Sequence, residues 1–244
     1  MAAKVSPDGY TIVFVSPSMT ISPSIYKKLN YDATKDLAAI SMVMDNYYVL
    51  LVRNSLPVKS FKELIAYAKA RPGEINYGAG IGTPPYLAGV LMSKMVNIKM
   101  THVPYKGVAA AMVGLMSNEI EVVMIGTPAA LPQIAAGKVR ALAVLSKERL
   151  PSLPDIPTTA EAGLPGYIVQ SWYGIMAPAG TPKEIITLLN KEWGKIALMP
   201  DTIEQTRKFG FEPISTTPEA FAQFIKEDIV NWGKIVKDAN LVAQ

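Results

Sequence analysis

The chain has 244 residues, of which 50% are hydrophobic and 18% are charged, so it contains enough apolar material for one large domain or two smaller ones. It has no cysteine, which excludes disulfides, zinc ribbons, iron–sulfur clusters and thiol nucleophiles. The net charge of +4 is spread along the chain instead of forming the basic patch that nucleic acids require, and we therefore expect no nucleic-acid partner.

The N-terminal residues contain no apolar stretch of the length that a signal peptide requires. No window approaches the roughly 18 consecutive apolar residues that a membrane span needs. The sequence therefore predicts neither an export signal nor a membrane-spanning helix in this chain.

Apolar runs rich in Val, Ile and Tyr alternate along the chain with stretches of helical period. The predicted strands are residues 10–15, 47–52, 100–103, 120–125, 139–145 and 168–176. Several of these runs are apolar throughout, which is typical of parallel strands covered on both faces. We therefore predict an α/β fold with mostly parallel sheets and flanking helices.

Three helix starts are indicated by the capping-box spacing, in which Ser or Thr is followed three residues later by Glu. The pairs are Ser60 with Glu63, Thr158 with Glu161, and Thr181 with Glu184. Pro218 precedes a long apolar stripe at helical spacing, which predicts a C-terminal helix with one buried side.

Catalytic motifs are absent from the sequence. His102 is the single imidazole, no Gly-x-Ser-x-Gly motif occurs, and the acidic residues form no metal-binding pattern. In the segment 78–82 the third glycine lies one residue too early for a dinucleotide motif, and no acidic residue follows at the required distance. We expect no catalytic residue, no metal and no cofactor, and we interpret His102 as a structural residue or a single hydrogen-bond donor.

Short loops of Gly, Ser or Thr lie between a predicted strand and a helix after Val15, Tyr77, Val103 and Met124. Such loops present free backbone N–H groups and the positive end of a helix dipole, and small anions bind there. The alternative is that they are the ordinary strand-to-helix turns of any α/β protein. Composition and spacing leave both interpretations open.

Seven segments carry further information because of their order along the chain. They are SPDGYT at 6–11, YDATKD at 31–36, HVPYKG at 102–107, AGKVRALAV at 136–144, PDIPT at 154–158, EAGLPGY at 161–167 and APAGTP at 177–182. In this order they resemble the Bug-type periplasmic solute-binding proteins of tripartite tricarboxylate transporters. The resemblance covers essentially the whole chain.

The resemblance implies a two-lobed periplasmic-binding-protein fold whose α/β lobes are joined by crossing strands. The first lobe would contain residues 1–52 and 174–244, incomplete at its N-terminus, and the second lobe residues 53–173. By the same resemblance, the protein is expected in the periplasm, with a small organic carboxylate as ligand and membrane transporter subunits as partners. The resemblance implies no catalysis.

The ligand-binding residues implied by the resemblance lie in the loops after the strands. They are Ser16, Ser18, Thr20, Gly80, Gly82, Thr83, Tyr105, Lys106, Gly107, Thr127 and Ser171. Backbone N–H groups and hydroxyls are expected to hold the carboxylates, and Lys106 either adds a positive field or is an exposed surface charge.

The sequence departs from the family in several places. The family's first strand and the Pro- and Gly-rich loop that follows it have no counterpart before Met1. Pro85 removes an N–H that an anion could use, Tyr86 stands where the family has an imidazole, and Ile125 stands where the family often has Asp. Two alternatives therefore remain open: a truncated paralogue that acts as an interaction or sensory module, and an enzyme that depends on His102.

Overall fold

The computed structural model describes residues 4–238, in which helices and strands alternate. The strands are β1 Val13–Val15, β2 Leu37–Arg53, β3 Ile75–Ala79, β4 Met100–Pro104, β5 Val122–Gly126, β6 Val139–Val144, β7 Gln170–Pro178 and β8 Glu212–Pro213. The helices are α1 Pro17–Ile25, α2 Phe61–Ala70, α3 Pro84–Met95, α4 Val108–Met116, α5 Thr127–Ala135, α6 Lys183–Ala197, α7 Pro200–Lys208 and α8 Pro218–Asp238. The predicted α/β class is confirmed.

The described residues form two compact units. The first contains residues 4–45 and 172–238, and the second contains residues 46–171. The chain passes from one unit to the other within β2 and within β7. The sequence analysis placed these divisions after Val52 and after Tyr173.

The first unit has a core on each face of its sheet. β1 pairs antiparallel with β7, and β8 pairs antiparallel with β2. Trp172, Phe221 and Ile225 lie in the core formed by α1 and α8 on one face, while Ile40 and Ile186 pack together on the other. A Cβ at Gly174 would lie 2.1 Å from the Phe221 ring, so this close approach requires glycine.

The second unit contains the parallel strands. β3 pairs parallel with β4 and with β5, whereas β2 pairs antiparallel with β5 and with β6. Because β5 and β6 both run against β2, they run in the same direction as each other. Four strands of this unit therefore share one direction, and β2 runs against them. The pairs of β2 and β7 are antiparallel, so the sheet is mixed, whereas the apolar runs predict mostly parallel strands.

The capping boxes predict two helices correctly and one wrongly. At α2 the Ser60 hydroxyl accepts the Glu63 N–H at 3.2 Å, and α6 begins two residues after Thr181. At Thr158 the reciprocal bonds with Glu161 also form, at 3.1 and 2.8 Å, but they close only a turn. Gly163 adopts a φ of +101° soon after, which ends the turn before a helix can propagate.

Candidate functional site

The carboxyl ends of β3, β4 and β5 lie at one edge of the sheet because these strands are parallel, with Ala79 opposite Pro104. Each strand runs through a short loop into a helix: β3 into α3, β4 into α4 and β5 into α5. The structure therefore brings together the loops that hold seven of the predicted ligand-binding residues. These are Gly80, Gly82, Thr83, Tyr105, Lys106, Gly107 and Thr127.

In the loop before α3, the free backbone N–H groups lie before the helix and not in its first turn. Thr83 is the N-cap residue, but its hydroxyl donates to the Gly80 carbonyl at 2.6 Å instead of capping the helix. Pro84 and Pro85 open the helix and have no N–H to offer. In the described part of the chain, no hydrogen bond engages the N–H groups of Ile81 and Gly82. These two groups are available to an anion.

The loops after β3 and β4 are held against each other. The Ala79 carbonyl accepts hydrogen bonds from the Tyr105 N–H at 3.1 Å and from His102 Nε2 at 2.9 Å. A Cβ at Gly80 would lie 3.4 Å from the Tyr105 carbonyl oxygen, which leaves little room for a side chain. Both loops therefore share one rigid support.

His102 supplies the side-chain hydrogen bond to the Ala79 carbonyl. A carbonyl only accepts, so Nε2 carries the proton in its bond to Ala79. The imidazole ring contacts the rings of Tyr86 and Tyr77, with centroids 4.7 and 5.2 Å away. Burial lowers the pKa of His102 below its ordinary value, and the Ala79 bond opposes this shift only in part. This arrangement is in keeping with the interpretation of His102 as a structural residue or a single hydrogen-bond donor.

Tyr105 contributes its backbone to the loop and its side chain to the core. Its hydroxyl donates to the Glu119 carboxylate at 3.0 Å, and its ring lies against Gly78 and Gly114. Burial and the neighbouring Glu119 raise the pKa of Tyr105 above its ordinary value. Lys106 and Gly107, by contrast, are exposed at the start of α4.

A polar residue of β2, Asn46, lies beside the start of α5 and is not among the predicted site residues. Thr127 is buried at the first position of the helix, and Ile125 packs into the core. Asn46 of β2 is 4% exposed, and its Nδ2 lies 2.6 Å from the position that a Cβ would take at Gly126. Asn46 lies inside β2, which extends well before the predicted strand 47–52. The available signal is its polar side chain directly before that apolar run.

In the first unit, Ser16 and Ser18 lie half-buried at the start of α1, where Ser16 is the N-cap residue. Thr20 is fully buried, and its hydroxyl lies 2.6 Å from an Asp228 carboxylate oxygen. This contact gives Thr20 a structural role, and its predicted place as a ligand contact has no support from its position. Ser171 of β7, the last residue of the second unit, is also buried.

Within residues 4–238, no cluster of three or more His, Cys, Asp and Glu side chains has an arrangement that could hold a metal ion. Over the same residues, no helix combines the length and the apolar character that crossing a membrane requires.

The chain belongs to the tripartite tricarboxylate transporter family receptors, whose family model matches residues 1–241. The family resemblance found in the seven sequence segments is thereby confirmed.

Three solved structures show the same fold along nearly the whole chain. The R. palustris protein Rpa4515, solved with adipate, is 34% identical, has a TM-score of 0.94, and shares 100% of this chain and 82% of its own. The periplasmic binding protein BugD is 31% identical with a TM-score of 0.91, again over 100% of this chain and 82% of its own. MatC from Rhodopseudomonas palustris, solved with bound malate, is 28% identical with a TM-score of 0.85, over 96% of this chain and 82% of its own.

Proposed function

We propose that this chain is a periplasmic receptor that binds a small organic carboxylate at the carboxyl edge of β3, β4 and β5. The observation that carries the proposal is the pair of unengaged N–H groups at Ile81 and Gly82. Their loop is held in place by the Ala79 carbonyl, which accepts hydrogen bonds from the Tyr105 N–H and His102 Nε2. The adipate and malate bound to two relatives are acids of the kind that such donors hold.

The electrostatics of this edge favour an anion. Helices α3, α4 and α5 begin at it, so the positive ends of three helix dipoles lie beside the loops. Lys106 adds a formal positive charge at an exposed position before α4. Ser16 and Ser18 at the start of α1 remain predicted ligand contacts of the first unit.

Family membership supports the transport role. A receptor of this family would deliver its ligand to membrane transporter subunits and would perform no chemical step itself. The ligand-bound relatives favour this role over a non-transport interaction or sensory module. His102 lies between Ala79 and two Tyr rings, which favours a receptor over an enzyme that uses His102 as a base.

The test is isothermal titration of the protein with succinate, L-malate and adipate, with the corresponding amides as controls. We expect at least one acid to bind and its amide to give no heat, because the site recognises the carboxylate charge.

Gly107→Asp tests the location of the site. Gly107 is exposed, with no atom within 4 Å of an added Cβ, and Asp suits the N-terminus of α4. The Gly107 φ of +155° strains any side chain, so the variant should lose some stability. It should weaken acid binding at least about tenfold through like-charge repulsion, measured at a temperature well below the lowered Tm. Gly166→Asp is the matched control, because Gly166 is also an exposed glycine with open space around it and a positive φ, of +81°, so the variant carries a similar backbone cost. It should leave affinity unchanged. Equal affinities in both variants would place the site elsewhere.

A further inference from the structure

Asn46 lies at the same sheet edge as the three loops. β2 runs antiparallel to β5 with Tyr48 opposite Gly126, so the residues before Tyr48 extend past the end of β5 toward the start of α5. Side chains two residues apart in a strand share a face, so Asn46 lies on the face of Tyr48 and Gly126. This position adds a polar side chain to the edge where the carboxylate is proposed to bind.

The Asn46 amide is buried and incompletely paired. Its side chain is directed at Gly126, the N-cap residue of α5. Within the described residues, its Oδ1 is buried and has no hydrogen-bond donor as a partner. A buried amide oxygen without a donor is unfavourable, and a Leu side chain of similar volume would avoid that penalty. This oxygen can accept a hydrogen bond from a donor group.

We infer that Asn46 determines ligand specificity by accepting a hydrogen bond from a hydroxyl or ammonium group of the carboxylate ligand. This inference rests on the proposed function and names its substrate class: hydroxy- or amino-substituted carboxylates. An ionised carboxylate only accepts hydrogen bonds, so an unsubstituted diacid leaves the Asn46 oxygen unpaired. A hydroxyl or ammonium group next to the carboxylate supplies the donor.

The test compares acids that differ by a single group. Calorimetric titration is performed with succinate, L-malate and L-aspartate, and with adipate and 2-hydroxyadipate. We expect the wild-type protein to bind at least one substituted acid about tenfold or more tightly than the unsubstituted acid of equal length. A larger gain for malate identifies a hydroxyl as the donor, and a larger gain for aspartate identifies an ammonium group.

Asn46→Leu should reduce this preference to about one while leaving the affinity for the unsubstituted acid within about threefold. Its Tm should be equal to or higher than that of the wild type, which separates lost recognition from lost folding. Asn46→Asp keeps the acceptor, so it should retain the preference even though its charge weakens binding of every acid. Gln133→Leu is the matched control, because Gln133 of α5 also has a buried and unpaired amide oxygen. It should bind as the wild type does.

Two results would overturn the inference and leave the carboxylate receptor standing. One is wild-type affinity for succinate and adipate equal to that for their substituted forms, and the other is an Asn46→Leu variant that keeps the full preference. If none of the five acids binds, the receptor function fails as well.

Discussion

At the residue scale, His102 shows how one neutral side chain holds two loops in place. Its Nε2 shares the Ala79 carbonyl with the Tyr105 N–H, so the last residue of β3 is tied to β4 and to the loop after β4. Tyr86 covers the imidazole ring from the first turn of α3. His102 is therefore a positioning residue, because it holds the loops in place and the loops are proposed to bind the ligand.

We predict that His102→Phe weakens carboxylate binding about three- to tenfold, which is the range expected for the loss of one hydrogen bond. Phe keeps the ring contact with Tyr86 but cannot donate to Ala79. His102→Gln places an amide N–H close to the position of Nε2 and should restore most of the affinity. The measurement is calorimetric titration with the tightest-binding acid, together with hydrogen exchange of the Tyr105 amide. Equal affinity and exchange in the wild type and in the Phe variant would contradict the positioning role.

At the element scale, one carboxylate on α8 makes hydrogen bonds to both α1 and β7, in addition to the apolar core that these elements share. Asp228 accepts hydrogen bonds from the Thr20 hydroxyl at 2.6 Å and from Trp172 Nε1 at 3.1 Å. Burial raises the pKa of Asp228 above its ordinary value, although the bonds from Thr20 and Trp172 lower it in part. The ionised form is therefore less favourable in the folded protein than in the unfolded chain.

This shift has a defined sign. Because the pKa of Asp228 is higher in the folded protein, its contribution to stability is fully present below the unfolded pKa of about 3.9 and is lost as pH rises through the folded value. Asp228→Asn keeps an acceptor and removes the charge. We predict that its Tm gain over the wild type is small at pH 4 and grows to a few degrees at pH 7. The measurement is thermal unfolding at both pH values.

Glu227→Gln, one residue earlier on the exposed side of the same helix, is the control and should show no such trend. If the Tm difference between Asp228→Asn and the wild type does not change with pH, ionisation of the buried Asp228 carboxyl does not lower the stability of the folded protein.

The sequence predicted the elements better than it predicted the contacts between them. The α2 boundary follows from Ser60 and Glu63, because a capping box is a local signal, and the apolar stripe after Pro218 predicts α8. The same local signal at Thr158 failed, because the glycine shortly after it ends the turn. Local patterns therefore predict where a helix can start, and the following residues decide whether it continues.

The candidate site was predictable only in part for a related reason. The Gly and Thr loops are visible in the sequence because they follow apolar runs. The bond from His102 to Ala79 and the contact of Asn46 with Gly126 join residues 23 and 80 positions apart, and they depend on strand register. Thr20 was assigned to the ligand because its loop position was visible, whereas its contact with Asp228 on α8 was not.

At the scale of the whole molecule, β2 and β7 are the important elements because each contributes residues to both units. When one unit unfolds, its part of β2 and of β7 loses its hydrogen-bond partners. The rest of each strand belongs to the other unit and is weakened as well. Unfolding of one unit therefore lowers the stability of the other. This coupling favours one cooperative unfolding transition for the chain.

We predict a single calorimetric transition that core substitutions in either unit shift as a whole. Leu51 in the second unit and Phe221 in the first are fully buried. Leu51→Ala should cost about 2–5 kcal/mol and Phe221→Ala about 3–5 kcal/mol. At about 2–4 °C per kcal/mol for a chain of this size, each should lower Tm by roughly 4–20 °C without splitting the peak. Two separate peaks, with each substitution moving only one of them, would show that the shared strands do not couple the units.

A carboxylate that binds should in turn raise the Tm of the whole transition, because about 2.7 kcal/mol is gained at 100 times Kd.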